Sequence, residues 1–130
     1  MSTEAERRFH TDMVAGVDRL KREIGYNATR FAQMLGGLGG VAAARQLLRG
    51  HDASDGFTTL WEHDRLDVSV EAYVLLPWYR GLFDEHHLET AMWRLTEHRF
   101  DVDRFLDEAR ENPPGWTQAN TDADCGDAAD

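Results

Sequence analysis

Six histidines, one cysteine, 24 carboxylates and 14 basic side chains carry the chemistry available to this 130-residue chain. Their spacing decides what they can do. His86 and His87 are adjacent, so on a helix they project about 100° apart and cannot readily share one ion. No two histidines stand four residues apart, the relation that lets one helix face hold a metal in a metalloprotease. The lone Cys125 excludes an internal disulfide framework and a zinc site built on thiolates, which needs two or more of them. It also lies in a polar tail, where nothing would position a base beside it. Ser54 and Ser69 stand at helix starts, where capping accounts for them.

Two further groups invite catalytic readings. His51-Asp52 has the form of the paired ligands in metal-dependent phosphohydrolases, but such sites need more His and Asp from neighbouring helices, and none is assignable. Glu62, Asp67 and Glu71 are close enough in sequence to make an acid/base pair, although helix-start and surface roles explain them as well. The reading is therefore of no catalytic residue, no metal and no cofactor. A small hydrolase using Glu62 or His51-Asp52 ranks third among the functional readings.

One stretch is richer than a plain helical domain requires. Asp55-Gly56-Phe57-Thr58-Thr59-Leu60-Trp61-Glu62 and Arg65-Leu66-Asp67-Val68-Ser69-Val70-Glu71 alternate large apolar residues with polar groups able to bond one another. Buried polar groups must be paired, so Arg30, Asp55, Glu62, Arg65 and Glu71 are expected either to form an internal network or to line a groove. Trp61 and Arg65 are of the types enriched at binding hot spots. The expected interaction surface joins the loop at His51–Asp55 to the exposed side of Trp61–Arg65.

Charge bounds the partners. The formal net charge is −10, and half of it comes from residues 111–130, which hold five acids and no Lys or Arg. Such a balance disfavours non-specific binding to a phosphate backbone, where cations must displace counterions. Nucleic-acid binding through a helix–turn–helix-like hairpin at 27–49, with Arg30, Arg45 and Arg49 on phosphates, is the alternative reading. No apolar run approaches the roughly 18–20 residues of a membrane span. MSTEAERRFH places charges where a secretory signal carries its apolar segment, so a cytoplasmic setting is expected.

The elements that position these groups read as helices. Phe9, Met13, Val17, Leu20 and Ile24 recur at helical spacing, with Gly25 as the stop. The same stripe could pack on the body or on a second copy, giving a homodimer. Asn27 reads as the cap of a helix carrying Phe31, Met34, Leu35 and Leu38, broken by Gly36-Gly37-Leu38-Gly39-Gly40. A second helix follows over Val41–Arg49. A phosphate-binding reading of the glycines fails, because both flanks look helical and no Lys follows. A short helix at Phe57–His63, capped by Asp55, precedes Leu66–Leu76. The β-branched residues there suggest a strand, but no second strand exists to pair with it, and the Asp/Ser start favours a buried helix. Asp84 caps a helix with Leu88, Met92 and Leu95 on one face, and Val102, Phe105 and Leu106 mark the last, ended by Asn112-Pro113-Pro114-Gly115. The expected fold is all-α: a compact bundle of six or seven short helices over 1–111, followed by a disordered acidic tail over 112–130.

Four segments together resemble a known pattern. They are Gly25-Tyr26-Asn27-x-x-Arg30-Phe31, Gly39-Gly40-Val41-x-Ala43-Ala44-x-x-Leu47-Leu48, Ser54-Asp55-Gly56-Phe57-Thr58-x-Leu60-Trp61-Glu62 and Arg65-Leu66-Asp67-x-Ser69-Val70-Glu71. The chain is in this respect similar to a family of uncharacterised small bacterial helical domains, found alone or attached to larger proteins, some nuclease-like or defence-related. The likeness runs from about Gly25 to Phe100. It departs at Ala28, where the family has Pro, and around His63-Asp64, where a glycine is usual. The resemblance implies a helical fold and an accessory context, with no mechanism attached. The functional expectation is a non-catalytic interaction or accessory module of a bacterial multi-component system, with another protein as its partner.

Overall fold

Thr3 and Glu6 open the first helix by exchanging hydrogen bonds, each side chain accepting from the other's backbone N–H. This capping box satisfies two of the amides that a helix start leaves unbonded. A computed structural model describes residues 3–49 and 55–117 of the chain, the side chain of Asp55 excepted. Seven α-helices are laid out along these residues, with no strand among them: α1 Glu4–Ile24, α2 Thr29–Leu38, α3 Gly40–Leu47, α4 Asp55–Glu62, α5 Val70–Val74, α6 Glu85–Glu97 and α7 Val102–Glu111. Single 3-10 turns at Leu66–Val68 and Arg80–Leu82 lead into α5 and α6.

The stripe read from the sequence is the inner face of α1. Phe9 and Met13 are buried, and Val17, Leu20 and Ile24 pack against the core. That face packs on the protein's own body. Gly25 ends the helix in the left-handed region (φ 68°), and the N–H groups of Gly25 and Tyr26 close back onto Lys21 and Leu20.

Asn27 does not cap α2. The chain takes one more non-helical residue, Ala28 holds the cap position without a side-chain bond, and Asn27 is left exposed. The glycine run also breaks the helix later than its composition suggests. Gly36 and Gly37 stay helical, and Gly39 alone turns the corner with φ 85°. Gly40 then starts α3 against α1: its N–H donates to His10 Nδ1 at 2.9 Å, and a Cβ there would stand 2.6 Å from the His10 Cα. A glycine is needed at Gly40 for this close approach of two backbones.

The segment Leu66–Leu76 is helical, as its caps suggest, but in two pieces. The buried Ser69 hydroxyl donates to the Leu66 carbonyl at 2.7 Å and accepts from the Ala72 N–H at 3.1 Å. One side chain thereby ends the 3-10 turn and caps α5. Asp84 caps α6 as expected, but the buried arc of α6 is Thr90, Ala91, Arg94 and Leu95, and Met92 is exposed. The arc is rotated because Arg94 is drawn inward.

The chain beyond α7 does not leave the body at residue 112. Trp116 returns to stack on Tyr79, with ring centroids 5.9 Å apart, and the Arg8 guanidinium lies 6.0 Å from the Trp116 ring. The ordered domain therefore continues past 111. Residues 118–130, with Cys125, lie outside the described residues.

Candidate partner-binding cleft

All four sequence segments contribute to one cleft of about 520 Å³. The turn before α2 supplies Tyr26 and Asn27, and α2 itself supplies Arg30, Phe31 and Met34. Gly56, Phe57 and Leu60 of α4 form one wall, Leu47 of α3 contributes to the lining, and α5 contributes Val70 and Glu71. Phe57 and Leu60 are almost wholly buried, whereas Arg30 is exposed. The volume falls within the range of small-molecule and side-chain pockets.

The chemistry of the cleft turns on Glu71. Its carboxylate is 1% exposed and accepts a hydrogen bond from Arg94 Nη1 at 2.8 Å. Arg94 is equally buried, and its Nη2 donates to the Leu47 carbonyl at 3.2 Å. Burial pushes the Glu71 carboxyl above the usual carboxylate range, and the Arg94 hydrogen bond and charge pull it back. The pair ties α3, α5 and α6 together beneath the cleft. Its acid is thus already committed to a cation of the scaffold. Beside the pair, the ring of His98 meets Phe57 and Trp61 edge-on, at 4.8 and 5.2 Å between centroids, and its Nδ1 lies 2.8 Å from the Arg94 carbonyl.

The residues expected to share a network are distributed differently. Arg65 reaches Glu23 at 2.5 Å and Asp67 at 3.4 Å, on the surface between the end of α1 and the 3-10 turn. Glu62 is exposed, and Trp61 is 48% exposed. Asp55 opens α4. Arg30 stands at the lip of the cleft and makes no hydrogen bond or ion pair among the described residues. Of the set, Arg30 and Glu71 share the cleft, at its lip and its floor. The partner of Glu71, Arg94, was not among the expected residues. Its signal was present: Ala91, Arg94 and Leu95 lie on one helical arc, and an arginine inside an apolar arc requires an acid opposite it.

The arginines of the alternative reading stand in different surroundings. Arg45 donates to the Leu82 carbonyl at 2.6 Å, holding α3 to the turn before α6. Arg49 is exposed at the end of α3. The single residue Gly39 joins α2 to α3, shorter than the three- or four-residue turn of a helix–turn–helix.

A second polar contact lies midway along α1. The buried Tyr79 hydroxyl donates to Asp12 Oδ2 at 2.5 Å, and burial, then Asp12, pushes its phenol far above the ordinary value. Ser69 serves as the cap described above, while His51, Asp52 and Ser54 lie outside the described residues. Among the described residues, no three or more His, Cys, Asp or Glu side chains gather as metal ligands, and no helix is long and apolar enough to cross a membrane.

Comparison with protein-family models, with curated proteins and with solved structures finds no match to the chain.

Proposed function

We propose that the protein is a non-catalytic interaction module that docks a partner protein of a bacterial multi-component system in the cytoplasm. The observation that carries this reading is the cleft: apolar walls from α2 and α4, an open lip, and a floor whose acid is held by Arg94. A cleft of that make suits burial of a partner's apolar side chain, which is the usual anchor of a protein interface. General acid/base chemistry would instead need a carboxylate free to exchange its proton with a substrate. The likeness of the lining segments to small helical accessory domains supports the same reading.

The test places a photo-crosslinking residue at Met34, on the cleft wall, and irradiates cells of the native host. A discrete crosslinked protein, lost when Arg30→Glu is added to a chain of unchanged melting temperature, is the expected result. Crosslinks only to nucleic acid, or no crosslink from Met34 and from a second probe at Trp61, would refute the reading.

A further inference from the structure

We infer that the cleft accepts a segment of a partner protein that presents one large apolar side chain with an Asp or Glu close to it in sequence. This rests on the interaction-module reading and adds the chemistry of the partner. Among the described residues, two charged side chains line the cleft, and they are not equivalent. Glu71 is buried and bonded to Arg94, so a cationic group entering the cleft would have to compete with an arginine already held at 2.8 Å. Arg30 is exposed at the lip, with its guanidinium uncommitted among the described residues. An incoming cation would meet repulsion at the lip, and an incoming carboxylate would meet a planar donor fork that matches it.

Phe31, Met34, Leu47 and Val70 set the other half of the rule. They line the cleft and are only half-buried, so an apolar side chain seated against them removes apolar surface from water on both partners. A carboxylate a few residues away then reaches Arg30 at the rim, where such a charge fixes register and discriminates against wrong partners. A polyanion is a poorer match, because among the described residues one uncommitted arginine stands at the lip, too few for a phosphate backbone, and Arg45 is engaged with Leu82.

The experiment pans a displayed peptide library against the full chain and, in parallel, against Arg30→Glu. Selected peptides are then measured by fluorescence anisotropy. Peptides selected on the native chain are expected to carry a Phe, Leu, Trp or Met near an Asp or Glu, and to lose about tenfold or more in affinity for Arg30→Glu. Exchanging the peptide acid for Lys should restore binding to Arg30→Glu and weaken it to the native chain. Arg30 is exposed, so melting temperatures should not differ between the two chains. Selection without an acid, failure of the charge exchange, or equal displacement by inorganic phosphate or a short oligonucleotide overturns the inference. If peptides bind but are lost on Trp61→Ala and not on Arg30→Glu, the inference falls while the interaction-module reading stands. If no peptide is enriched and neither Met34 nor Trp61 crosslinks a protein, both fall.

Discussion

The two ends of α1 meet the rest of the protein in opposite ways. At its N-terminal half, Phe9 lies edge-on to Tyr79 and Phe83, at 5.1 and 5.3 Å, and Trp116 closes over Tyr79. The Tyr79–Asp12 hydrogen bond joins that cluster. Near its C-terminal end, Leu20 borders the cleft between α2 and α4, where aromatic and apolar side chains stand around open space. Both regions hold a carboxylate bonded to a donor from a distant element. In the closed region the donor is a neutral phenol, and aromatic rings pack around the tyrosine that carries it. In the open region the donor is a cation, and the pair supports a floor whose other side faces the cleft. Rigid support beneath an open cleft is what a docking site needs, since a preformed wall reduces the ordering cost of binding.

The largest expected effect tests that support. Arg94→Met leaves the Glu71 carboxylate buried without its cation, and breaking one side of such a pair costs about 3–5 kcal/mol. Urea denaturation should show this loss. The double change Glu71→Leu with Arg94→Met should recover most of it, because two apolar side chains of similar size remove the desolvated charges together. If the double variant is as unstable as the single, the pair acts through packing of the arginine stem and not through charge.

The closed region gives a smaller effect and a pH signature. Tyr79→Phe removes the donor to Asp12 and should cost about 1.5–3 kcal/mol, the range for hydrogen bonds to charged groups. The phenol of Tyr79 is raised above its ordinary value of 10.0. In the native chain the folded state therefore holds this proton at a pH where the unfolded state has released it. That contribution is fully present below about pH 10 and is lost as pH rises further. Stability of the native chain should fall with increasing pH above that point. Tyr79→Phe should flatten the fall, leaving the part due to Tyr73, whose phenol burial also raises.

How much of this was legible in the sequence follows from the range of the interaction concerned. The inner stripe of α1, the stop at Gly25 and the Asp84 cap depend on residues within a few positions of one another, and each was readable. The position of the break at Gly39 was not, because Gly36 and Gly37 are equally able to turn and only contact with His10 selects Gly40 as the start of α3. The Glu71–Arg94 pair spans 23 residues, and the Tyr79–Asp12 bond spans 67. The pattern of polar residues said that Glu71 required a partner; it could not say that the partner lay on α6, nor that Arg65 would turn to Glu23. Pro113, Pro114 and Gly115 end the helix and make Trp116 look like part of the tail, yet the same turn brings the indole back to Tyr79.

The smallest expected effect concerns the corner that carries the chain from the cleft wall toward its floor. After α4 the backbone reverses at Asp64, which adopts φ 56°, and the N–H groups of Asp64 and Arg65 bond to the Trp61 and Leu60 carbonyls. This is the left-handed helix ending that glycine adopts without a side-chain penalty. An aspartate tolerates the conformation better than most residues but retains some strain. Asp64→Gly should therefore leave the fold unchanged and raise stability by up to about 1 kcal/mol, read as a small increase in the urea midpoint at constant slope. Glycine also has more freedom to lose on folding, which limits the gain. A clear loss would mean that the Asp64 carboxylate makes a contribution of its own at the corner. The same variant sharpens the contrast between the two ends of α1. A corner that gains from Asp64→Gly while peptide binding at the cleft is unaltered separates the stability of the α4 wall from its recognition surface, which in the closed region cannot be separated because every aromatic ring there is part of the packing.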